Sequence, residues 1–181
     1  RHQYQFPGQC ILPSDEPKKN SNVICTYCYS NRNLSSFRMR CRGSWKNNGE
    51  ILSSGLLEDW QIPRFSPDEI VRFNVYGELI NATHLLNIFN ICNTNPDVQF
   101  ALWTKRFRID QQHLDQKPAN LLLIHSNPYI DQTSILPRGF DKTFNVKTVS
   151  SSQINCSGSC LKCLICYDPT NKAAVINELL K

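Results

Sequence analysis

The feature that most constrains the fold is an alternation of strand-like and helix-like apolar patterns between residues 70 and 124. Ile70–Tyr76 alternates as a strand does, and Asn81–Cys92 places its apolar residues on one face of a helix that Asn81 caps. Val98–Trp103 and Leu121–Ile124 then predict two more strands. Strands joined by such connections are typical of crossovers in a parallel sheet, so the sequence predicts an α/β protein.

Less periodic segments extend this prediction at both ends. Asn22–Ile24 is predicted to form a first strand, and Phe144–Val149 a late one. The remaining assignments are a weak helix with a long loop in Cys41–Trp60, a helical connection through Asp110–Leu114, and a short final helix in Asn171–Lys181.

Length and composition bound the protein class. A chain of 181 residues predicts one compact domain, with room for an appendage, and is too short for a complete eight-unit barrel of about 250 residues. With 40% hydrophobic and 19% charged residues, it has enough apolar material for a core. The sequence contains no apolar run long enough to span a bilayer and shows no signal-peptide pattern. Because the first residue is Arg1, a lost leader stays open.

Chemistry-bearing residues follow the predicted strands at the points where these end. In parallel sheets, ligands gather beyond the carboxyl ends of the strands, so we expect these residues to lie near one another. They are Cys25 and Cys28, Gly77 and Glu78, Thr104 and Lys105, and His125 and Ser126.

The C-terminal cysteines are the strongest metal-ligand signal. Cys156, Cys160, Cys163 and Cys166 fall within eleven residues that also contain Ser and Gly. Thiolates this crowded are costly unless a cation neutralises them, so the pattern predicts a closed iron–sulfur cluster or a tetrahedral zinc site. Spacing alone does not separate iron from zinc, and a pair of disulfides is the weaker alternative.

Cys25 and Cys28 form a second group. Their two-residue spacing lets two thiolates face one metal, and Cys10 could arrive as a third ligand. Three cysteines on a four-iron cluster would leave one iron open for substrate or cofactor. Taken alone, the pair indicates half of a zinc site first, and a redox pair is the other alternative.

Several segments together resemble a family of phage proteins known as "gene product 88". They are the Cys28-Tyr29 element, the passage SPDEIVRFNVYGELINATHLLNIFN followed by NPDVQFALWTKR, and the terminal CSGSCLKCLICYDP. The cysteine loop and the pair Gly77-Glu78 also resemble the radical S-adenosylmethionine (radical SAM) fold in a reduced form.

This resemblance implies a partial, incomplete parallel (β/α) barrel over residues 1–150, with a Cys-rich metal-binding tail over residues 151–181. Cys10, Cys25 and Cys28 would bind an open [4Fe–4S] cluster, and Gly77 with Glu78 would meet S-adenosylmethionine. The second cluster, or zinc, would lie on the C-terminal cysteines. The implied protein is a radical SAM-like enzyme of the host cytoplasm that acts on an unknown substrate and receives electrons from a flavodoxin or ferredoxin.

Two other protein classes remain open. A formal net charge of +5 would suit a metal-stabilised nucleic-acid-binding protein. The basic residues gather in a first group at Arg32, Arg38, Arg40 and Arg42, followed by Lys46, and in a second group at Lys105, Arg106 and Arg108. Glycosylation sequons at Asn33, Asn81 and Asn155 would suit a secreted disulfide-bonded domain, although the count of nine cysteines is odd.

Some single residues carry their own predictions. His125 is a candidate acid, base or ligand, or a histidine bound to backbone at a strand end. Cys92 is predicted to lie in the core, and Cys41 has no assigned role beyond being a candidate spare ligand. The sequence has no P-loop, GxGxxG motif or nucleophile elbow.

Overall fold

The computed structural model of this chain describes residues 22–27, 41–75, 77–108 and 113–180. Within these ranges, five parallel strands form one sheet in the order in which they occur along the chain. The strands are β1 (Ile70–Phe73), β2 (Gln99–Thr104), β3 (Leu121–Ile130), β4 (Lys142–Lys147) and β5 (Val175–Leu179). The helices are α1 (Arg42–Ser54), α2 (Ala82–Thr94) and α3 (Cys160–Cys163), with 3-10 turns at Ile24–Tyr27, Asp59–Gln61 and Leu114–Gln116. The predicted α/β class with a parallel sheet is confirmed.

One face of the sheet, which we call the helical face, packs under α1 and α2. Alternation along the strands places large apolar side chains on it, and these are buried with the apolar residues of α2. The rings of Phe73 and Phe100 stack there with their centres 5.4 Å apart. The side-chain amide of Asn87 joins the two helices by donating to the carbonyls of Leu52 and Gly55, each at 2.8 Å.

The opposite face, which we call the cysteine face, packs under the connection between β4 and β5. Ala101, Trp103, Leu122, Ile124 and Ile176 form this face, and Cys166 and Tyr167 of the connection are buried with them. The earlier connections instead contribute residues to the core of the helical face. Successive crossovers of one hand place every connection on the same side of a sheet, so the Cys-rich connection departs from that pattern.

The middle of the fold agrees with the sequence prediction. The helix begins after Asn81, whose side-chain oxygen accepts a 2.9 Å hydrogen bond from the backbone of His84. The region from Cys41 contains a regular helix of 13 residues. β1 ends at Phe73, earlier than predicted, because Asn74 adopts a left-handed conformation with φ of 54°. Tyr76 and most of the connection predicted at 110–114 lie outside the described residues.

Two predictions at the ends of the chain are wrong. Residues 22–24 do not form a strand of the parallel sheet; Val23 makes a single antiparallel bridge to Tyr129, and a 3-10 turn begins at Ile24. The predicted final helix is instead the strand β5, which pairs with β4 from Val175 to Leu179. The Cys-rich segment therefore contributes a strand to the sheet on which it packs.

The described part of the chain contains no helix long and apolar enough to cross a membrane.

Candidate functional site

The β4–β5 connection carries all four C-terminal cysteines to the cysteine face. Its short helix α3 begins at Cys160 and ends at Cys163, where Leu164 takes the left-handed conformation with φ of 53°. A left-handed residue other than glycine is held only by its surroundings. Here the following residues, Cys166 and Tyr167, are buried against the sheet and fix the turn.

The four thiols lie near one another. Burial raises the pKa of Cys166 to about 12, and the nearby charges of Cys156, Cys160 and Cys163 act in the same direction. Burial also raises the pKa of Cys156, although the backbone N–H of Gly158, 3.4 Å from its sulfur, acts in the opposite direction. Charges act on one another over about 10 Å, several times a metal–sulfur distance, so these thiols lie in one region of the molecule. A bound cation is what would keep such thiols ionised at neutral pH.

The chemistry of this donor set suits a metal, while the side chains are not in a closed coordination geometry. None of the described cysteines is in a disulfide. Among the described residues, no three His, Cys, Asp or Glu side chains are arranged to hold a metal ion. Four thiols fit zinc or an iron–sulfur cluster, and loading would require them to converge. The four-cysteine centre therefore stays a prediction.

Cys25 lies at the carboxyl edge of the sheet. The backbone N–H of Ile130 donates to the carbonyl of Asn22 at 2.9 Å, next to the bridge between Val23 and Tyr129. β4 already pairs with β3 as far as Ile130, so the segment before Cys25 lies on the β2 side, beyond the end of that strand. Cys25 itself is buried. Cys10 and Cys28 lie outside the described residues, and the three-cysteine site is untested.

Glu78 ties the end of β1 to the end of β2. Its buried carboxylate accepts hydrogen bonds from the backbone of Leu79 at 2.9 Å and of Lys105 at 2.7 Å, and from the hydroxyl of Thr104. Gly77 before it has φ of 83°, a conformation that favours glycine. A carboxylate offers about four acceptor positions, so most of those on Glu78 are occupied within the protein. Cofactor binding by this pair stays a prediction.

His125 follows Glu78 and Thr104 along the same edge, paired in register with Thr104. Its partner is a side chain, not backbone: Nδ1 lies 3.1 Å from the hydroxyl of Ser134, which also donates to the carbonyl of Ile135. The hydroxyl has one proton, so both bonds form only if Nδ1–H donates to Ser134. Nε2 is then an unprotonated acceptor, and it is buried without a hydrogen-bond partner among the described residues.

The environment of His125 favours its neutral form. Burial lowers the pKa of this imidazole, and the positive charge of Lys105 lowers it further. The rings of Phe107 and Phe140 flank it with centres 5.4 Å and 6.0 Å away. A neutral imidazole with a bare nitrogen can accept a proton or a hydrogen bond at this edge. A role in function stays a prediction.

The two basic groups predicted from the sequence, around Arg32–Arg42 and at Lys105–Arg108, differ in how much of their charge is available to bind an anionic partner. Arg106 donates from its guanidinium to the carbonyls of Leu79 at 2.8 Å and Ile80 at 2.6 Å, so it supports the turn after β1. Arg108 is exposed. In the first group, exposed Lys46 lies 3.7 Å from Glu50, and Arg32, Arg38 and Arg40 lie outside the described residues.

The remaining single cysteines and the sequon at Asn155 have structural positions, while the sequon at Asn33 lies outside the described residues. Cys92 is fully buried in α2, as predicted, and burial raises its pKa well above its usual range. Cys41 is half-buried at the start of α1. The side chain of Asn155 donates to the carbonyl of Val175 at 2.9 Å and accepts from the backbone of Asn177 at 2.8 Å, so it is engaged with β5.

Sequence reasoning missed the residues that line the cysteine face around the thiols. Arg72, Trp103 and Tyr167 come from three separate segments and meet there, with Arg72 over the Trp103 ring. One signal was available in β1. Period-two alternation places Arg72 on the face opposite Val71 and Phe73, and a charged residue in the middle of a buried strand requires a partner.

Fold and site together define a parallel α/β protein with a thiol-rich connection packed on one sheet face. The chain matches the family described as "Gene product 88" over residues 18–156, and it belongs to this phage protein family. The matched range contains Cys25, Cys28 and the first four strands and ends at Cys156, before the other three C-terminal cysteines. Comparison with curated proteins and with solved structures found no match.

Proposed function

We propose that this protein is an iron–sulfur protein whose C-terminal centre is held by Cys156, Cys160, Cys163 and Cys166. One observation carries the proposal: a single eleven-residue segment, packed against the cysteine face through Cys156 and Cys166, carries all four thiols. Four thiols gathered in this way, without a disulfide among the described cysteines, have the chemistry of a metal centre. A [4Fe–4S] cluster is the leading occupant, and zinc is the alternative.

The finer proposal is a radical SAM-like enzyme with a second, open [4Fe–4S] cluster on Cys10, Cys25 and Cys28. Two observations support it. The five strands are parallel and run in chain order, as in a part of a (β/α) barrel, and Cys25 lies at their carboxyl edge. That edge also carries Glu78 and His125.

A cluster of this kind would supply the reductive cleavage of bound S-adenosylmethionine. The radical formed in this way would act on an unknown substrate. The chain's own residues would position the bound cofactor and shield the site from water. Glu78 holds the ends of β1 and β2 together, with Gly77 and one remaining acceptor position beside a bound amino group. Phe107 and Phe140 exclude water around His125. Electrons would come from a flavodoxin or ferredoxin in the host cytoplasm.

The rival function is a metal-stabilised nucleic-acid-binding protein without catalysis. The net charge of +5 favours it, as does the exposure of Arg108 beside Lys105. It predicts affinity for DNA or RNA that falls steeply with salt. The bonds of Arg106 to backbone carbonyls count against a large phosphate-binding surface at this group.

Metal and sulfide analysis of anaerobically purified protein tests the proposal, with electron paramagnetic resonance (EPR) of the reduced sample before and after S-adenosylmethionine. About eight iron and eight sulfide per chain, with a spectrum that the cofactor changes, is expected for two four-iron clusters. About half that iron and sulfide content, with a spectrum that does not respond to the cofactor, would support the C-terminal centre alone and would refute the radical mechanism. Zinc without sulfide would favour the rival, and protein without metal would refute both.

Matched cysteine variants assign the metal to its ligands. Cys163→Ser is expected to lose the C-terminal centre and to keep the other. Cys92→Ala serves as the control, since Cys92 lies in the core of the helical face and its loss should lower stability without changing metal content. Equal metal content in Cys163→Ser and the parent protein would refute the assignment.

A further inference from the structure

His125 offers a hydrogen-bond acceptor that no described residue uses. The residue is 4% exposed, and its Nε2 is buried without a hydrogen-bond partner in the described part of the chain. Ser134 fixes the tautomer, because its hydroxyl donates to the carbonyl of Ile135 and therefore accepts from Nδ1–H, 3.1 Å away. A buried acceptor without a donor lowers stability unless something else supplies the donor. Nε2 is thus a pre-oriented acceptor for a ligand with an O–H or N–H group.

Two aromatic rings flank this imidazole and restrict access to it. Phe107, in the turn after β2, and Phe140, just before β4, both meet the imidazole in an edge-to-face arrangement. Phe140 is buried in the core of the helical face, whereas Phe107 is half-buried. A ligand reaches Nε2 only when a neighbouring group moves aside, and Phe107 is the less enclosed of the two rings. Its return would exclude water and strengthen a hydrogen bond to Nε2.

Lys105 brings an unpaired positive charge to the same strand ends. The Cα atoms of Thr104 and His125 are paired in register, and Lys105 directly follows that pair. The backbone N–H of Lys105 donates to Glu78 at 2.7 Å, while its ammonium makes no ion pair within the described ranges. The charge of Lys105 also lowers the pKa of His125, which agrees with a position near the imidazole. An anion here would meet Lys105 without displacing an existing ion pair.

Glu78 supplies the opposing charge at these strand ends. Its buried carboxylate already accepts from three donors of the protein. The guanidinium of Arg106 donates to two backbone carbonyls directly after Glu78, so its charge lies close to that carboxylate. Exposed Arg108 follows in the chain. With Lys105, Arg106 and Arg108 against Glu78, the described residues of this region carry an excess of positive charge, which favours an anionic ligand.

We propose that the carboxyl ends of β2 and β3 bind a small oxyanion whose O–H group donates to Nε2 of His125 while Lys105 pairs with its negative oxygen. Hydrogen phosphate and α-hydroxy acids share this chemistry. A built-in acceptor rejects an anion that lacks the hydrogen, because the lone pairs of that anion would then face the lone pair of Nε2. The inference goes beyond the proposed function and requires no metal at either group of cysteines.

Titration of full-length protein, labelled with nitrogen-15 at histidine, tests the site at about pH 8, where an imidazole is neutral. Hydrogen phosphate and sulfate are then dianions of the same tetrahedral shape, but only phosphate carries an O–H group. Glycolate and acetate form the matching pair of carboxylates. Phosphate or glycolate is expected to shift the Nε2 resonance of His125 and to bind at least about tenfold more tightly than its partner anion. The pair that discriminates identifies the ligand as a phosphate or a hydroxy acid.

Variants assign the two roles, with affinities measured by calorimetry. His125→Phe keeps an aromatic ring but removes the acceptor, so it should lose the preference for the anion with the O–H group. Lys105→Gln should weaken binding of both anions of the pair by about tenfold and keep the preference. Lys172→Gln removes one positive charge from an exposed position of the β4–β5 connection and should change affinity by no more than about twofold.

If His125→Phe does not fold, Ser134→Ala decides. It removes the acceptor of Nδ1–H, so the tautomer with a proton on Nε2 becomes populated and the preference should fall. Equal binding within both anion pairs, or an Nε2 resonance that none of the anions shifts, would overturn the site. Protein that never acquires metal would refute the proposed function and leave this inference standing, so the two failures are distinguishable.

Discussion

The side-chain amide of Asn145 donates a 3.1 Å hydrogen bond to the side-chain oxygen of Asn177, and so links β4 to the edge strand β5. The oxygen of Asn145 accepts from the amide of Asn127 on β3 and from the backbone of Ser134, each at 3.0 Å. All three asparagines are buried. This ladder holds β5, and with it the end of the Cys-rich connection, to the rest of the sheet.

Asn145→Ala should destabilise the protein by roughly 2–3 kcal/mol, because it removes one of the two acceptors of the buried Asn127 amide, the acceptor of the half-buried Ser134 N–H and the donor to the buried oxygen of Asn177. Denaturant unfolding measures the change. Asn93→Ala, on an exposed position of α2, is the control and should change stability by less than about 0.5 kcal/mol. Equal effects of the two substitutions would show that the ladder does not hold the sheet together.

His84 predicts acid sensitivity of the fold. Burial lowers the pKa of His84 from 6.5 to about 4, and its Nδ1 accepts a 3.3 Å hydrogen bond from the backbone of Ile80. The unfolded chain takes up a proton near pH 6.5 that the folded protein takes up only near pH 4, so stability is full above pH 6.5 and is lost as pH falls through this window. The loss approaches about 3 kcal/mol, since each pKa unit is worth about 1.4 kcal/mol.

Comparing the free energy of unfolding of the parent and of His84→Asn at pH 7 and pH 4.5 tests this. Asparagine offers an oxygen acceptor to Ile80 but does not titrate. The variant should therefore lose less stability than the parent over this range. If both lose the same amount, His84 does not cause the acid sensitivity.

Local patterns in the sequence were sufficient for the middle of the fold. The Asn81 cap and the apolar positions of α2 act within a few residues, so the helix could be read directly. The C-terminal end of β3 could not be predicted in this way, because it depends on pairing with residues distant in the sequence. β3 continues past Ile124 through Pro128 because β4 pairs along one side and Val23 bridges to the other, with the register shifted between Ser126 and Ile130.

The two errors have the same physical origin. Val175–Leu179 contains residues that suit a helix, and its strand conformation comes from pairing with β4. Val23 and Ile24 were too few apolar residues to specify a strand partner. The surroundings of the candidate metal centre were beyond sequence reasoning for a similar reason. Predicting the contact between Arg72, Trp103 and Tyr167 requires the register of β1 with β2, which the sequence does not show.

If the proposed four-cysteine centre holds a metal, removing that metal should release the Cys-rich connection before the sheet unfolds. The backbone N–H of Tyr167 donates to the carbonyl of Leu164 at 2.8 Å, within the turn that follows α3. Without a cation the thiols no longer hold this turn, and the amides of residues 160–167 should exchange hydrogen faster, while those of β2 and β3 stay protected. Hydrogen–deuterium exchange with and without a chelator measures the difference, and Cys163→Ser should show fast exchange in both conditions. Unchanged exchange in the parent after its metal is removed would contradict a structural role for the centre.

The tautomer and charge of His125 can be measured directly. Burial and the charge of Lys105 both lower the pKa of His125, so Lys105→Gln should raise it towards 6.5. Nitrogen-15 NMR of the imidazole should show Nδ1–H at neutral pH, because Ser134 accepts from that atom. Arg108→Gln is the control, since the charge of Arg108 is not among the causes of the lowered pKa and its loss should leave the titration unchanged. A proton on Nε2 at neutral pH would remove that atom as a proton acceptor at the carboxyl edge. A titration that Lys105→Gln does not move would show that the charge of Lys105 does not lower the pKa of His125.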